Sequence, residues 1–230
     1  AVFSGLETQA VYNSNFFLTE DDEESEVSAL FEPWVRYISD PEGGASVQFE
    51  ANYTPIIRCY LANTDLNDVD QAGNFTLRLN GGKTQVAIFG RYNEVSGTDR
   101  LTGDFTTGSI FTGGVRGVRQ IAPRTSLNGG FSAAISDYGS GANQGAEVYT
   151  AFMGGIWQAS PRLGFGPTLR YTMSESDNTG TRDAWALMLD ARYQLGDRIW
   201  LSASLGPEFS STSGNTETEN SDSFGLTGNI

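Results

Sequence analysis

From residue 45 to residue 61 the chain alternates. Ala45, Val47, Phe49, Ala51, Tyr53, Pro55, Ile57, Cys59 and Leu61 occupy one phase, and Ser46, Gln48, Glu50, Asn52, Thr54, Ile56, Arg58 and Tyr60 the other. Side chains of a strand point alternately to its two faces, so this pattern predicts one strand with an apolar face. Its seventeen residues exceed the five or six typical of a soluble strand and suffice to cross a bilayer, which takes roughly 9–11 tilted residues. The same pattern recurs at residues 27–37, 75–79, 84–92, 105–117, 125–135, 148–156, 163–173, 183–193 and 199–209, with weaker copies at 2–12 and 224–230. Twelve strands are predicted. A helix competes at one place, where Thr19 with Asp22 resembles a capping box and Val27, Leu30, Phe31 and Trp34 fall at helical spacing. Pro33 would break that helix, while the alternation continues through Val35 and Tyr37, so a strand is expected. Proline cannot donate to a ladder, which predicts local bulges at Pro33, Pro55, Pro167 and Pro207.

The connections alternate in length. Short ones lie at 40–44, 80–82, 121–124, 159–162 and 195–198, and long ones at 13–26, 62–73, 94–104, 137–145, 174–182 and 210–221. This describes an up-and-down antiparallel meander with a turn end and a loop end, the pattern of transmembrane β-barrels. A repeat supports it: Gln120-Ile121-Ala122-Pro123-Arg124, Gln158-Ala159-Ser160-Pro161-Arg162 and Gln194-Leu195-Gly196-Asp197-Arg198 recur at intervals of 38 and 36 residues. The repeating unit is a hairpin, since a propeller blade would need four short strands in the same span.

Composition narrows the chemistry. The 230 residues, read as one all-β domain over 1–230, include 28 Gly, 14 Phe, 9 Tyr and 4 Trp, a mixture that disfavours a helical bundle. With no His and Cys59 as the single cysteine, His-based zinc sites, His-dependent triads, CxxC pairs and internal disulfides are excluded. Acid–base catalysis would have to use carboxylates or Lys83, which sits in a turn, so the chain reads as a non-enzyme without metal or cofactor. A net charge of −14 argues against a nucleic-acid partner. No run of about 18 apolar residues marks a transmembrane helix, a test that says nothing about barrels.

The segment Tyr12-Asn13-Ser14-Asn15-Phe16-Phe17-Leu18, the acidic stretch from Glu20 to Glu26, the strand reaching Pro33, and the Pro-Arg turns with Leu127-Asn128-Gly129-Gly130 after the first of them carry a resemblance. They are similar to the β-barrel porin 2 family of Gram-negative outer-membrane proteins. The resemblance spans the whole chain and implies a bacterial outer-membrane barrel among lipid and lipopolysaccharide, often associated with exopolysaccharide export, with no catalytic residues to carry over. Family barrels are usually larger than twelve strands and barrel chains commonly end on an aromatic residue, whereas this one stops at Ile230. Further C-terminal strands are therefore expected to be missing, and Ala1 to be a processed or trimmed start.

If the apolar phase faces lipid, Arg36, Arg58, Arg78, Arg91, Arg116, Arg170 and Arg192 face a lumen, on seven different strands. Such guanidinium groups require water or partners, and Glu32, Glu50, Asp190 and Glu208 are the candidates on the same phase. The set reads either as a charged constriction that selects solutes or as bracing of the wall. Trp34, Trp157 and Trp200 fall on that phase near short turns, and read either as a platform for sugar rings or as interfacial aromatics whose local phase is misassigned. Trp185, Tyr53 and Tyr171 point outward as a membrane belt. The acidic residues of the long loops, among them Glu20 to Glu24, Glu26, Asp65, Asp68, Asp70, Glu217, Glu219 and Asp222, read as a solvated face because the spacing of a calcium loop is missing. Two functions follow: a porin-like barrel passing small solutes or an exported polysaccharide, or a non-conducting barrel whose loops dock an envelope protein. Long loops are expected outside the cell and short turns in the periplasm.

Overall fold

Each alternating segment forms a strand. The computed structural model describes residues 1–16, 25–98, 105–138, 145–176, 180–196, 199–214 and 221–229. Its strands are β1 Val2–Asn13, β2 Glu26–Ile38, β3 Val47–Tyr60, β4 Asp68–Gly81, β5 Thr84–Thr98, β6 Phe105–Ala122, β7 Thr125–Tyr138, β8 Ala146–Ser160, β9 Leu163–Ser176, β10 Gly180–Gln194, β11 Trp200–Ser213 and β12 Ser221–Asn229. A single 3₁₀ turn at Thr64–Leu66 is the only helical element among the described residues. In the sheet every strand lies beside its chain neighbour, from β1 through to β12. The chain is thus an all-β, up-and-down antiparallel meander. Several strands run longer than their periodicity suggests. β4 begins at Asp68 rather than at residue 75, because Gln71 and Gly73, the positions that continue its apolar phase, offer no contrast to their neighbours.

The proline bulges do not occur. Phe31 pairs with Ile57 and Val35 with Tyr53, so the ladder opens across Pro33 and Pro55 without gaining a residue on either strand. Gly154–Thr168 and Trp157–Phe165 flank Pro167 in the same way, as Ala186–Glu208 and Leu189–Leu205 flank Pro207. The missing N–H removes a bond and leaves the register intact. Between β8 and β9 a shift does arise, at Gln158 and Ser160 beside the turn.

The chain divides into two compact units. One comprises Ala1–Leu77, Phe89–Thr112 and Ile135–Gly145, and the other Arg78–Ile88, Gly113–Ala134 and Ala146–Ile230. In both, the apolar phase is bare. Val47 in the first unit is 56% exposed, and Leu169, Leu187 and Leu201 in the second are 43%, 54% and 51% exposed. Among the described residues the buried apolar side chains are Phe16, Tyr60, Ala186 and Met188. A soluble sandwich would turn its apolar phase inward between two sheets, whereas a membrane-spanning sheet presents it to lipid. The expected consequence is specific to the face. Leu187→Arg, at the middle of β10, should weaken folding into phospholipid vesicles by about 3 kcal/mol. Ser202→Arg, on the opposite phase of β11, should change the urea midpoint little. Equal losses from the two variants would contradict the assignment of faces.

Candidate functional site: the polar sheet face

In the first unit, cross-strand partners define the polar face. Arg36 lies opposite Phe3 on β1 and Asn52 on β3, Trp34 opposite Gly5, and Glu32 opposite Glu7. The Arg36 guanidinium forks onto one oxygen of Glu50, with Nη2 at 2.6 Å and Nε at 3.0 Å. Glu7, Glu32, Trp34, Arg36, Glu50 and Asn52 line a recess of about 500 Å³. Toward the loop end, Arg58 donates to the Ser96 carbonyl at 2.6 Å and to its hydroxyl at 2.7 Å, and the hydroxyl donates on to Asp70 at 2.7 Å. Arg58 itself approaches Asp70 at 3.5 Å. Arg91 lies between the exposed Ile88 and Tyr92 in phase and so belongs to the polar face, while Ser96 shows that β5 changes phase once beyond Tyr92.

Two acidic residues depart from the expected solvated loop. Asp70 is 5% exposed and lies within β4. Glu26 is 2% exposed and accepts five N–H bonds: from the backbones of Val27, Leu61, Ala62 and Asn63, and from the Asn63 amide at 2.7 Å. It ties the start of β2 to the loop after β3. Beside it the rings of Phe16 and Tyr60 meet at 5.1 Å, closing a small apolar patch against these polar groups. Asp65 and Asp222 are exposed and Asp68 is half-buried at the start of β4, while residues 17–24 and 215–220, with Glu20 to Glu24, Glu217, Glu219 and the capping box, lie outside the described residues. Among the described residues no group of three or more His, Cys, Asp or Glu is placed to hold a metal ion.

In the second unit, Arg78 and Arg116 line a recess of about 320 Å³ with Asn80, Gln85, Asn128 and Phe152. Arg170 sits between Phe152 and Ala186 on the same face. Arg192 lies opposite Gly164 and Ser202. The expected acidic partners behave differently from one another. Glu208 pairs with Arg182 at 3.1 Å, a residue outside the seven. Asp190 accepts the hydroxyls of Thr168 and Ser204, each at 2.5 Å, so it is satisfied without a cation.

Of the three tryptophans, Trp34 and Trp200 lie on the polar face, as their phase suggests. Trp157 does not. It shares the outward phase with Met153, which is 70% exposed, and meets Phe165 edge to face at 5.4 Å. Strand β8 is apolar on both phases, with Val148, Phe152 and Ile156 on one and Tyr149, Met153 and Trp157 on the other, so its periodicity cannot choose a face. Outward rings also meet where Tyr171 lies 4.5 Å from Trp185. Two residues missed as part of the face, Arg124 and Arg162, join Arg192 and Trp200 around a further recess. The signal was their position in the Pro-Arg repeat, which reads as turn chemistry alone.

No protein-family model matches the chain, and no curated protein matches it either. Among solved structures it is similar to the outer-membrane protein OmpT of Vibrio cholerae, with a TM-score of 0.51 at 11% identity over 99% of this chain and 95% of that one. The chain has the fold of a bacterial outer-membrane β-barrel. An outer-membrane channel from Pseudomonas putida F1 also aligns, at a TM-score of 0.42 and 10% identity, over 99% of this chain and 92% of that one. With this fold and an apolar face left bare in both units, the bacterial outer membrane is where the chain resides.

Proposed function

We propose that this is a porin-like barrel, giving passive passage to small solutes or to an exported polysaccharide through a charged lumen. The observation that carries the reading is the gathering of Arg36, Arg58, Arg78, Arg91, Arg116, Arg170 and Arg192, seven of the nine arginines in the described strands, on the phase opposite the apolar one. Charge fixed along a low-dielectric wall focuses field lines and selects among ions. The exported polysaccharide rests on the resemblance of the opening segment and Pro-Arg turns to the β-barrel porin 2 family. The sequence holds no histidine, so acid–base catalysis would have to use carboxylates or Lys83, which supports a non-enzymatic role. Long loops facing outward and short turns facing the periplasm follow the usual insertion of bacterial barrels.

A second reading, a structural or partner-docking barrel, is favoured by the tight bracing of Arg58 by Ser96 and Asp70. Planar-bilayer recordings and melting curves on Arg36→Ala, Arg78→Ala, Arg116→Ala and Arg192→Ala separate the two. The porin reading expects conductance in the unaltered protein and a reversal potential displaced toward cations in the variants, because each removes a fixed positive charge. Unchanged selectivity together with a large fall in melting temperature would make the arginines wall braces.

A further inference from the structure

We propose that the recess at the turn end of β8 to β11 binds a small organic acid that carries a ring. This rests on the barrel fold and, for its part in passage, on the porin-like reading. Arg124, Arg162 and Arg192 converge on a cavity of about 370 Å³ whose lining also includes Trp200, Gln158 and Gly164. Among the described residues no Asp or Glu lines it, although the whole chain has 28 acidic residues against 14 basic ones. The three arginines are exposed, and their summed field in a concave recess raises the local concentration of anions. The repeat accounts for the convergence. Arg124 and Arg162 take the last position of successive hairpin turns, and each passes its carbonyl to a Gln of the next hairpin, Gln158 N–H at 2.7 Å and Gln194 N–H at 2.8 Å. Guanidinium groups are thereby presented at matching heights on neighbouring hairpins, and a carboxylate takes such groups by forked, charge-assisted bonds.

The remaining lining selects for a ring. Trp200 begins β11 on the polar phase opposite Gln194 and is 57% exposed, so its indole presents a free face. Rings stack on the face of an exposed indole, adding to what burial alone gives. Gly164 forms a floor between Gln158 and Arg192, and a Cβ built there would come within 2.9 Å of the Gln158 amide nitrogen. Any larger residue at 164 would therefore occupy the space beside Arg192 or displace Gln158.

The test uses the whole protein, refolded in detergent, with calorimetry against glucuronate, benzoate, glucose and inorganic phosphate. Binding of glucuronate or benzoate, with glucose at least about tenfold weaker, is expected, since charged hydrogen bonds contribute roughly 1.5–3 kcal/mol. Glucuronate alone would identify the ring as a sugar, benzoate alone as an arene. Arg192→Gln and Arg124→Gln should each weaken the acid about tenfold, and Trp200→Ala should weaken the ring acids while leaving phosphate unchanged. Gly164→Leu should abolish binding; a melting temperature equal to that of the unaltered protein certifies each variant as folded. No binding of either ring acid, or binding indifferent to Arg192→Gln and Trp200→Ala, overturns the proposal. Binding in a protein that does not conduct would sustain this site and remove the porin reading, and conductance without binding would do the reverse.

Discussion

Glu26→Ala should cost about 4 kcal/mol of stability, because five N–H groups lose a charged acceptor and each such bond contributes roughly 1.5–3 kcal/mol net before non-additivity. The carboxylate is 2% exposed, so water does not readily replace it. The backbone amides of Ala62 and Asn63 would be left facing an apolar methyl, the Leu61 N–H keeping only the Val27 carbonyl at 3.0 Å, and the loop between β3 and β4 should open first. Glu26→Gln keeps the shape but loses the charge and one acceptor, and should retain part of the stability. Urea unfolding in lipid, together with protease cleavage near Leu61, reads both effects. An unfolding midpoint equal to that of the unaltered protein in Glu26→Ala would mean that the network is incidental.

A comparable loss, again about 4 kcal/mol, is expected from Gly206→Val, since overpacking costs 1–3 kcal/mol where side chains can yield and more where they cannot. A Cβ at Gly206 collides with the carbonyl of Leu187, and one at Gly166 with the carbonyl of Gly155. Both obstacles are backbone of the adjoining strand, so no rotamer change relieves them. Each glycine precedes a proline, Pro167 or Pro207, where the ladder already skips bonds. Gly196→Ala is the control, since nothing lies within 4 Å of a Cβ at that position, and it should stay within about 0.5 kcal/mol of the unaltered protein. If Gly206→Val and Gly196→Ala melt together, the close approach carries no weight.

The strands and their faces were legible wherever polar and apolar residues contrast. The run from Ala45 to Leu61 shows its face without tertiary information, and Val47 is indeed exposed. Strand β8 was not legible, because Phe152 and Met153 are equally apolar and only the position of neighbouring strands decides that Phe152 turns toward Arg170. The polar partners were harder still. Parity places Arg58 on the polar phase, yet nothing in its spacing from Asp70 or Ser96 announces that an acid of β4 and a serine of β5 will meet it. Glu26 sits beside five other acids in sequence, and its burial depends on the conformation of residues 61–63. Pairings of this kind arise from strand register, which the hydrophobic period constrains only to within two residues.

With four buried apolar side chains among its described residues, the chain supplies only one half of the surface that would complete its fold. The other half is acyl chain. During the aqueous journey from ribosome to membrane there is nothing for Leu187, Leu201 or Trp185 to rest against except another molecule. Premature closure would strand them in water, and mutual contact would lead to aggregates. Delivery of such a chain calls for an escort that holds it open until the bilayer takes over, so a lesion that slows insertion should be felt first as proteolysis in transit.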